Sequence, residues 1–314
     1  MHRRTLLLAA LGLAAAGCSV SDPRVKGSPQ PVYTPLPPVP PVGADHLAGL
    51  EAGVGALLSA MAGAPWAGPD APRFQLLADL HRVHQAVLAT ADPLLREPAA
   101  VALATVPAPG TRDDGLAAAG AALTTLHDAH AALAVQTTGP LAAFWAAQAA
   151  SAVQSRSALT MAVSGVTKTV PLREVAVLDA TAAADDLLNR YHEAVYGLES
   201  ALGRLTIAHP SRAALNRVVL AVKTQRDMLM ARSRAASRTP VPGAPAYSIP
   251  ATTSDVQVLA LGGQLLLAVT EAAAVVVASA TSELRTAVDD LVTASTLGLP
   301  LGMGMAEYPG WPDA

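Results

Sequence analysis

The sequence predicts an all-α protein built as two tandem antiparallel helical bundles. Three observations carry this reading. The chain is 52% hydrophobic but only 14% charged and 3% aromatic, and it is rich in alanine and leucine, alanine being the strongest helix former. Its apolar residues recur at spacings of three and four rather than alternating. Proline- and glycine-rich breaks cut it into segments of helical length, four on each side of a Lys168 to Glu174 break that contains Pro171. Each half has enough residues to bury a core of its own, and the halves show no obvious repeat.

In chain order, residues 1–18 begin His2-Arg3-Arg4-Thr5-Leu6-Leu7-Leu8, continue as an Ala/Leu run and end Ala15-Ala16-Gly17-Cys18. A basic start, a short apolar stretch and small residues before a cysteine resemble a bacterial lipoprotein signal. The resemblance implies that Cys18 is acylated and that the protein is exported and anchored to the outer face of the cytoplasmic membrane. Arg3-Arg4 is compatible with twin-arginine export. The alternative is a plain secretory signal cut near Ala16, with Cys18 a free thiol. A spanning helix fits less well, since Thr5 to Gly17 falls short of the ~20 apolar residues a bilayer needs. Cys18 is the only cysteine, so packing alone must hold the fold.

Residues 19–43 read as a tether. Pro29, Pro31, Pro35, Pro37, Pro38, Pro40 and Pro41 favour an extended chain, which at ~3.1 Å per residue reaches roughly 60 Å. The first bundle, 44–167, is expected to hold helices near 45–62, 73–92, 114–136 and 140–163, with Pro140 in a first turn. The second, 174–314, is expected to hold helices near 174–207, 211–237, 254–281 and 283–297, with Ser211 and Ser254 as N-caps. Val256 to Ala280 approaches the length of a membrane span. Thr270 and Glu271 interrupt it, and Gly262-Gly263 favour a buried helix.

Leu188-Asn189-Arg190-Tyr191-His192-Glu193-Ala194-Val195-Tyr196-Gly197, Gln225-Arg226-Asp227-Met228-Leu229, Ala244-Pro245-Ala246-Tyr247-Ser248-Ile249-Pro250 and Tyr308-Pro309-Gly310-Trp311-Pro312 resemble an actinobacterial ferritin-like domain family of unknown function with exported lipoprotein members. The resemblance covers about 175–314, and more loosely the segment around His81 and His84. It implies a ferritin-like four-helix C-terminal bundle. Di-iron sites of that fold need Glu-x-x-His pairs, and none occurs here. Where the family carries a Glu-His pair this chain has Tyr191-His192, and where it carries a histidine this chain has Val222. Glu193 is turned from the required position by about 100° of helix rotation. Di-iron chemistry is therefore not expected.

The first half offers His81-Arg82-Val83-His84 and His127-Asp128-Ala129-His130. Each spacing puts two imidazoles on one helix face, as a zinc-type ion requires. His84 continues the stripe of Leu77, Leu80, Val87 and Leu88, and His130 that of Leu116, Leu123, Leu126 and Leu133, so both are expected to point inward. The plainer reading makes them interior histidines satisfied by a neighbour such as Gln148, Glu51 or Asp79, with His81 and His127 in solvent. It assigns no cofactor; zinc or iron is the alternative.

Asp185-Asp186, Glu193 and Glu199 crowd the fifth helix, while Arg212, Lys223, Arg226 and Arg234 form a basic sector of about 80° on the sixth. That sector suits pairing with the acidic helix, or anionic headgroups. No phosphate loop and no Gly-x-Ser-x-Gly elbow occurs, and no strand is expected to carry one. A net charge of −3 on an exported chain argues against nucleic acid. The expectation is a non-enzymatic lipoprotein that binds an envelope protein, another envelope component or a small apolar ligand. The alternative is a metal-binding protein or ferritin-like oxidoreductase using the first-half histidines or a remnant di-iron site.

Overall fold

Local sequence sets the helix ends. The computed structural model describes residues 41–90, 92–94, 100–161, 163, 165–167 and 176–311. Cys18, all of the tether up to residue 40, and residues 168–175 of the central break lie outside the described residues. Eight helices are present among those described: α1 Ala44–Ala62, α2 Ala71–Leu88, α3 Arg112–Ala134, α4 Gly139–Ala158, α5 Ala180–Arg204, α6 Arg212–Ala235, α7 Asp255–Ser279 and α8 Leu284–Thr296. Ser254 caps α7 as expected, its Oγ accepting from the Gln257 N–H at 3.3 Å, and Pro140 lies in the first turn of α4. Ser211 precedes α6 but makes no side-chain cap. The Arg212 guanidinium instead donates to the Leu202 and Leu205 carbonyls at the end of α5. Thr111 and Asp114 form a reciprocal cap on α3. Asp179 accepts from the Thr181 and Ala182 N–H groups, which starts α5 six residues later than the sequence pattern suggests.

Helices α1 and α2 pack as a pair, α3 packs on α4, and α1 also meets α3; α5 packs on α6 and α7, and α7 on α8. The groups meet through α4, which contacts α7 and α8 on one side and α3 on the other. This position explains its composition. Fourteen of its 20 residues are buried, eight of them alanine, and a helix packed all round with small side chains suits contact on every face. One apolar cluster joins Leu47 and Leu88 of the first half with Trp145, Leu187, Val222, Leu266, Val288 and Trp311. A second, holding Leu58, Phe74, Leu77, Leu123 and Leu126, also takes in Leu299 and Met305 from the far end of the chain. Residues Pro38–Ala314 accordingly form one unit.

The expectation that the chain has no strand is corrected. β1 (Val166–Thr167) pairs in parallel with β2 (Met305–Ala306), Val166 opposite Met305 and Thr167 opposite Ala306. Two residues leave no periodicity to read. Helix α7 is long and apolar enough to cross a membrane by length and composition, and 56% of its most apolar window is buried within the protein. At Gly263 the Met303 side chain approaches so closely that an added Cβ would meet its Cε at 3.1 Å.

Candidate metal centre

Helices α1 to α3 each send one face inward, and those faces bring Glu51, His81, His84 and His130 together, all 0% exposed. The Glu51 carboxylate is the hub. His81 Nδ1 donates to Oε2 at 2.6 Å, His130 Nε2 donates to Oε1 at 2.9 Å, and His84 Nδ1 lies 3.4 Å from Oε1. His84 and His130 thus point inward, as their registers suggest. His81 does not lie in solvent: it is buried at the junction of α1, α2 and α4, its Nε2 3.2 Å from Ser155 Oγ. His127 stays outside the cluster, half-buried, donating from Nδ1 to the Ala149 carbonyl at 3.1 Å. The neighbour that satisfies the histidines is Glu51. Asp79 lies on the surface near Arg82, and Gln148 has no hydrogen-bond partner at either amide atom.

The tautomers follow from the far sides of the rings. His84 Nε2 donates to the Glu307 carbonyl at 2.8 Å, so it carries a hydrogen, and Nδ1 faces a carboxylate oxygen. A bare lone pair there would repel that oxygen; a proton or a cation on Nδ1 removes the conflict. Burial lowers the His84 pKa, but the Glu51 charge, Glu51 hydrogen bonding and the Glu307 carbonyl outweigh it and raise the ring above its usual value. Burial pushes the Glu51 carboxyl up, yet the fields of His81 and His84 and the bonds from His130 and His81 hold it well below the usual carboxylate range. His130 is pulled down, desolvation exceeding the attraction of Glu51; its ring stacks on Trp145 at 5.9 Å. The surroundings therefore favour the ionised carboxylate of Glu51 and the charged form of His84, and disfavour the charged form of His130.

Of the nitrogens aimed at Glu51, those of His81 and His84 are the ones an ion shared with the carboxylate would take. Donor atoms of Glu51, His81 and His84 all lie within 4.8 Å of one another, and a tetrahedral ion with bonds near ~2.1 Å sets its ligands about 3.4 Å apart. Outer partners are in place: Ser155 Oγ behind His81 and the Glu307 carbonyl behind His84, the arrangement that orients metal-bound imidazoles. On α4, Gln148 and Ser151 occupy the face between Trp145, stacked on His130, and Ser155, beside His81. Both are fully buried without a partner, as is His130 Nδ1, and orphaned buried polar atoms call for a polar occupant. The donor set fits an imidazole-preferring divalent ion.

Ser155, His81 and Glu51 also stand in the order of a hydrolytic relay, but all three are 0% exposed, leaving no access for a substrate carbonyl. Tyr191 and Val222 are buried in the apolar core, burial pushing the Tyr191 hydroxyl up. His192 donates to the Val241 carbonyl, and Glu193 pairs with Arg190. The basic sector of α6 is partly tied down: Lys223 meets Glu199 at 2.6 Å, Arg226 meets Asp227 on its own helix, and Arg212 is held by the carbonyls named above. A cavity of about 230 Å³ opens at one end of α5 to α8, with Leu187, Leu229 and Val276 beside the paired Arg232 and Asp290. It does not touch the histidines.

Sequence reasoning named Glu51 only as one neighbour among three, and it missed Ser155 and the Glu307 carbonyl. His81 to Ser155 spans 74 positions and His84 to Glu307 spans 223, too far for any local spacing to reveal. No family model, curated protein or solved structure matches this chain, so the reading of the centre rests on its own geometry.

Proposed function

We propose that this is an exported, non-catalytic binding protein, held at the outer face of the cytoplasmic membrane by a lipid on Cys18, whose ligand is a divalent transition-metal ion of the zinc class. Glu51, His81 and His84 hold the ion, with His130 bonded to the carboxylate beside them. The observation that carries this is three imidazoles meeting one fully buried carboxylate. Removing an ionised group from water costs several kcal/mol, which a stable fold offsets with a partner of opposite charge. Imidazole-rich sites suit zinc, copper or nickel, whereas iron of the ferritin kind asks for more carboxylates. The ferritin-like reading of the second half then concerns its helical framework alone, since Tyr191 and Val222 stand where ligands would be. Full burial favours storage or structural retention over turnover.

Elemental analysis of untagged full-length protein, extracted from membranes, tests this. One zinc-class ion per chain, lost in Glu51→Gln, is expected; a metal-free protein, or two irons per chain, would sink the reading. A second reading, binding of a small apolar ligand, is favoured only by the cavity beside Leu187, Leu229 and Val276. Partition of a fluorescent apolar probe into wild type but not Leu229→Arg would support it.

A further inference from the structure

We propose that the segment Met305–Trp311 is the retaining strap of the metal centre, so that holding the ion and docking this segment are one coupled equilibrium. The inference rests on the metal reading above and adds how the centre is closed and what it communicates with.

The segment is laced to both halves of the fold. Its first residues form β2, with Met305 N–H donating to the Gly165 carbonyl at 2.9 Å and Glu307 N–H to the Thr167 carbonyl at 3.1 Å. The Met305 side chain is buried in the apolar cluster of α1 to α4. Two residues on, the Glu307 carbonyl receives the His84 Nε2 hydrogen, and the Tyr308 ring lies 5.0 Å from the His84 ring and 5.9 Å from Phe144. Gln154 of α4 steadies the segment, its Oε1 accepting from the Ala306 N–H at 3.4 Å while its Nε2 donates to the Ser295 carbonyl of α8 at 2.6 Å. The far end is pinned on the second half. Gly310 adopts φ +88° so close to α7 that an added Cβ would lie 2.5 Å from Ala274 Cβ and 3.0 Å from the Thr270 carbonyl, and Trp311 is 1% exposed in the shared core.

The physical consequence is directional. A cation on His84 Nδ1 draws electron density through the ring and strengthens the Nε2–H···O=C bond to Glu307. Conversely, that bond fixes the tautomer that presents Nδ1 to the ion. Whatever the ion gains from the docked strap, the strap must gain from the ion, by linkage. The Glu307 carbonyl is thus a positioning group, and its hold is set from α7 through Gly310 and Trp311. Loss of such outer partners typically weakens metal binding about 10- to 100-fold.

Full-length wild type and Gly310→Ala, stripped with chelator, are titrated with Zn²⁺ against a chromophoric competitor. Hydrogen exchange at residues 305–311 is followed with and without the ion. Gly310→Ala should bind Zn²⁺ about 10- to 100-fold more weakly, and Zn²⁺ should slow exchange of the strap in wild type. If Gly310→Ala does not fold, Tyr308→Leu, which keeps the backbone, takes its place with the same expectation. Val219→Ala, in the buried face of α6, controls for general loss of stability and should leave affinity unchanged. Unaltered affinity in the strap variants, strap exchange indifferent to Zn²⁺, or equal weakening in Val219→Ala overturns the coupling while leaving the metal centre standing. Wild type that binds no Zn²⁺ overturns both.

Discussion

Glu51 holds its charge in an apolar interior only because histidines from two other helices surround it, and that dependence makes single substitutions there informative. With metal removed, Glu51→Ala takes away the charge that raises His84 and the acceptor of His81 and His130, and we expect a loss of about 1–3 kcal/mol in chemical denaturation, the usual cost of leaving buried polar groups unpaired. Its depressed folded-state pKa contributes stability that is present above the unfolded carboxylate value of about 4.3 and is lost as pH falls through the folded value. His84, raised, contributes stability present below about 6.5 and lost as pH rises through its folded value. His130, lowered, acts in the opposite sense: below about 6.5 the unfolded chain takes up a proton there that the folded one refuses. His84 thus acts above about pH 6.5 and His130 below it, and the Glu51 loss is confined to the acid side. The denaturation midpoint of chelator-treated protein should drop below about pH 4.3, and Glu51→Gln should flatten that drop. An unchanged acid limb in the variant would contradict the assignment of the charge to Glu51.

Element ends show how far residue type alone carries a prediction. Ser211 and Ser254 look alike in sequence, each a serine before an apolar-periodic run. Only Ser254 turns its hydroxyl onto an N–H of the following helix, because its backbone is extended (φ −146°, ψ 155°) as a cap requires while Ser211 is already helical (φ −78°, ψ −5°). Thermal unfolding should therefore show Ser254→Ala costing about 1 kcal/mol, while Ser211→Ala stays within about 0.5 kcal/mol of wild type. Helix α4 is the other element whose role exceeds its pattern. Ala146 and Ala147, both 0% exposed, sit where one group of helices meets the other. Ala147→Leu should destabilise by about 1–3 kcal/mol through overpacking, which denaturant titration will register.

At the scale of the molecule, the shared core predicts that the first half does not stand alone. A fragment covering residues 44–167 would expose the α4 surface that meets α7 and α8 and would lose the Glu307 carbonyl behind His84. Expressed alone, it should aggregate or bind zinc at least about 10-fold more weakly than the whole chain; full affinity in a monomeric fragment would show that the centre closes without the strap. The proposed anchor is independent of all this. Cys18→Ala should move the protein from the membrane fraction to the medium or leave unprocessed precursor, since acylation at that cysteine is the proposed hold on the membrane.

Composition and period sufficed for the existence of the helices: alanine content, spacing of three and four, and the proline and glycine breaks put the ends of all eight within six residues of where they lie, because helix formation is governed by neighbours along the chain. The inward register of His84 and His130 was legible for the same reason, each lying on a leucine stripe. Other features depend on what arrives from elsewhere. His81 is buried because α4 covers it with Ser155; His127 is excluded because α3 turns that face to the Ala149 carbonyl. The meeting of Glu51 with three imidazoles, the two-residue β pair and the strap from Met305 to Trp311 join positions separated by tens to hundreds of residues. Local periodicity says which face of a helix is buried, but the partner it is buried against is chosen by packing of the whole chain.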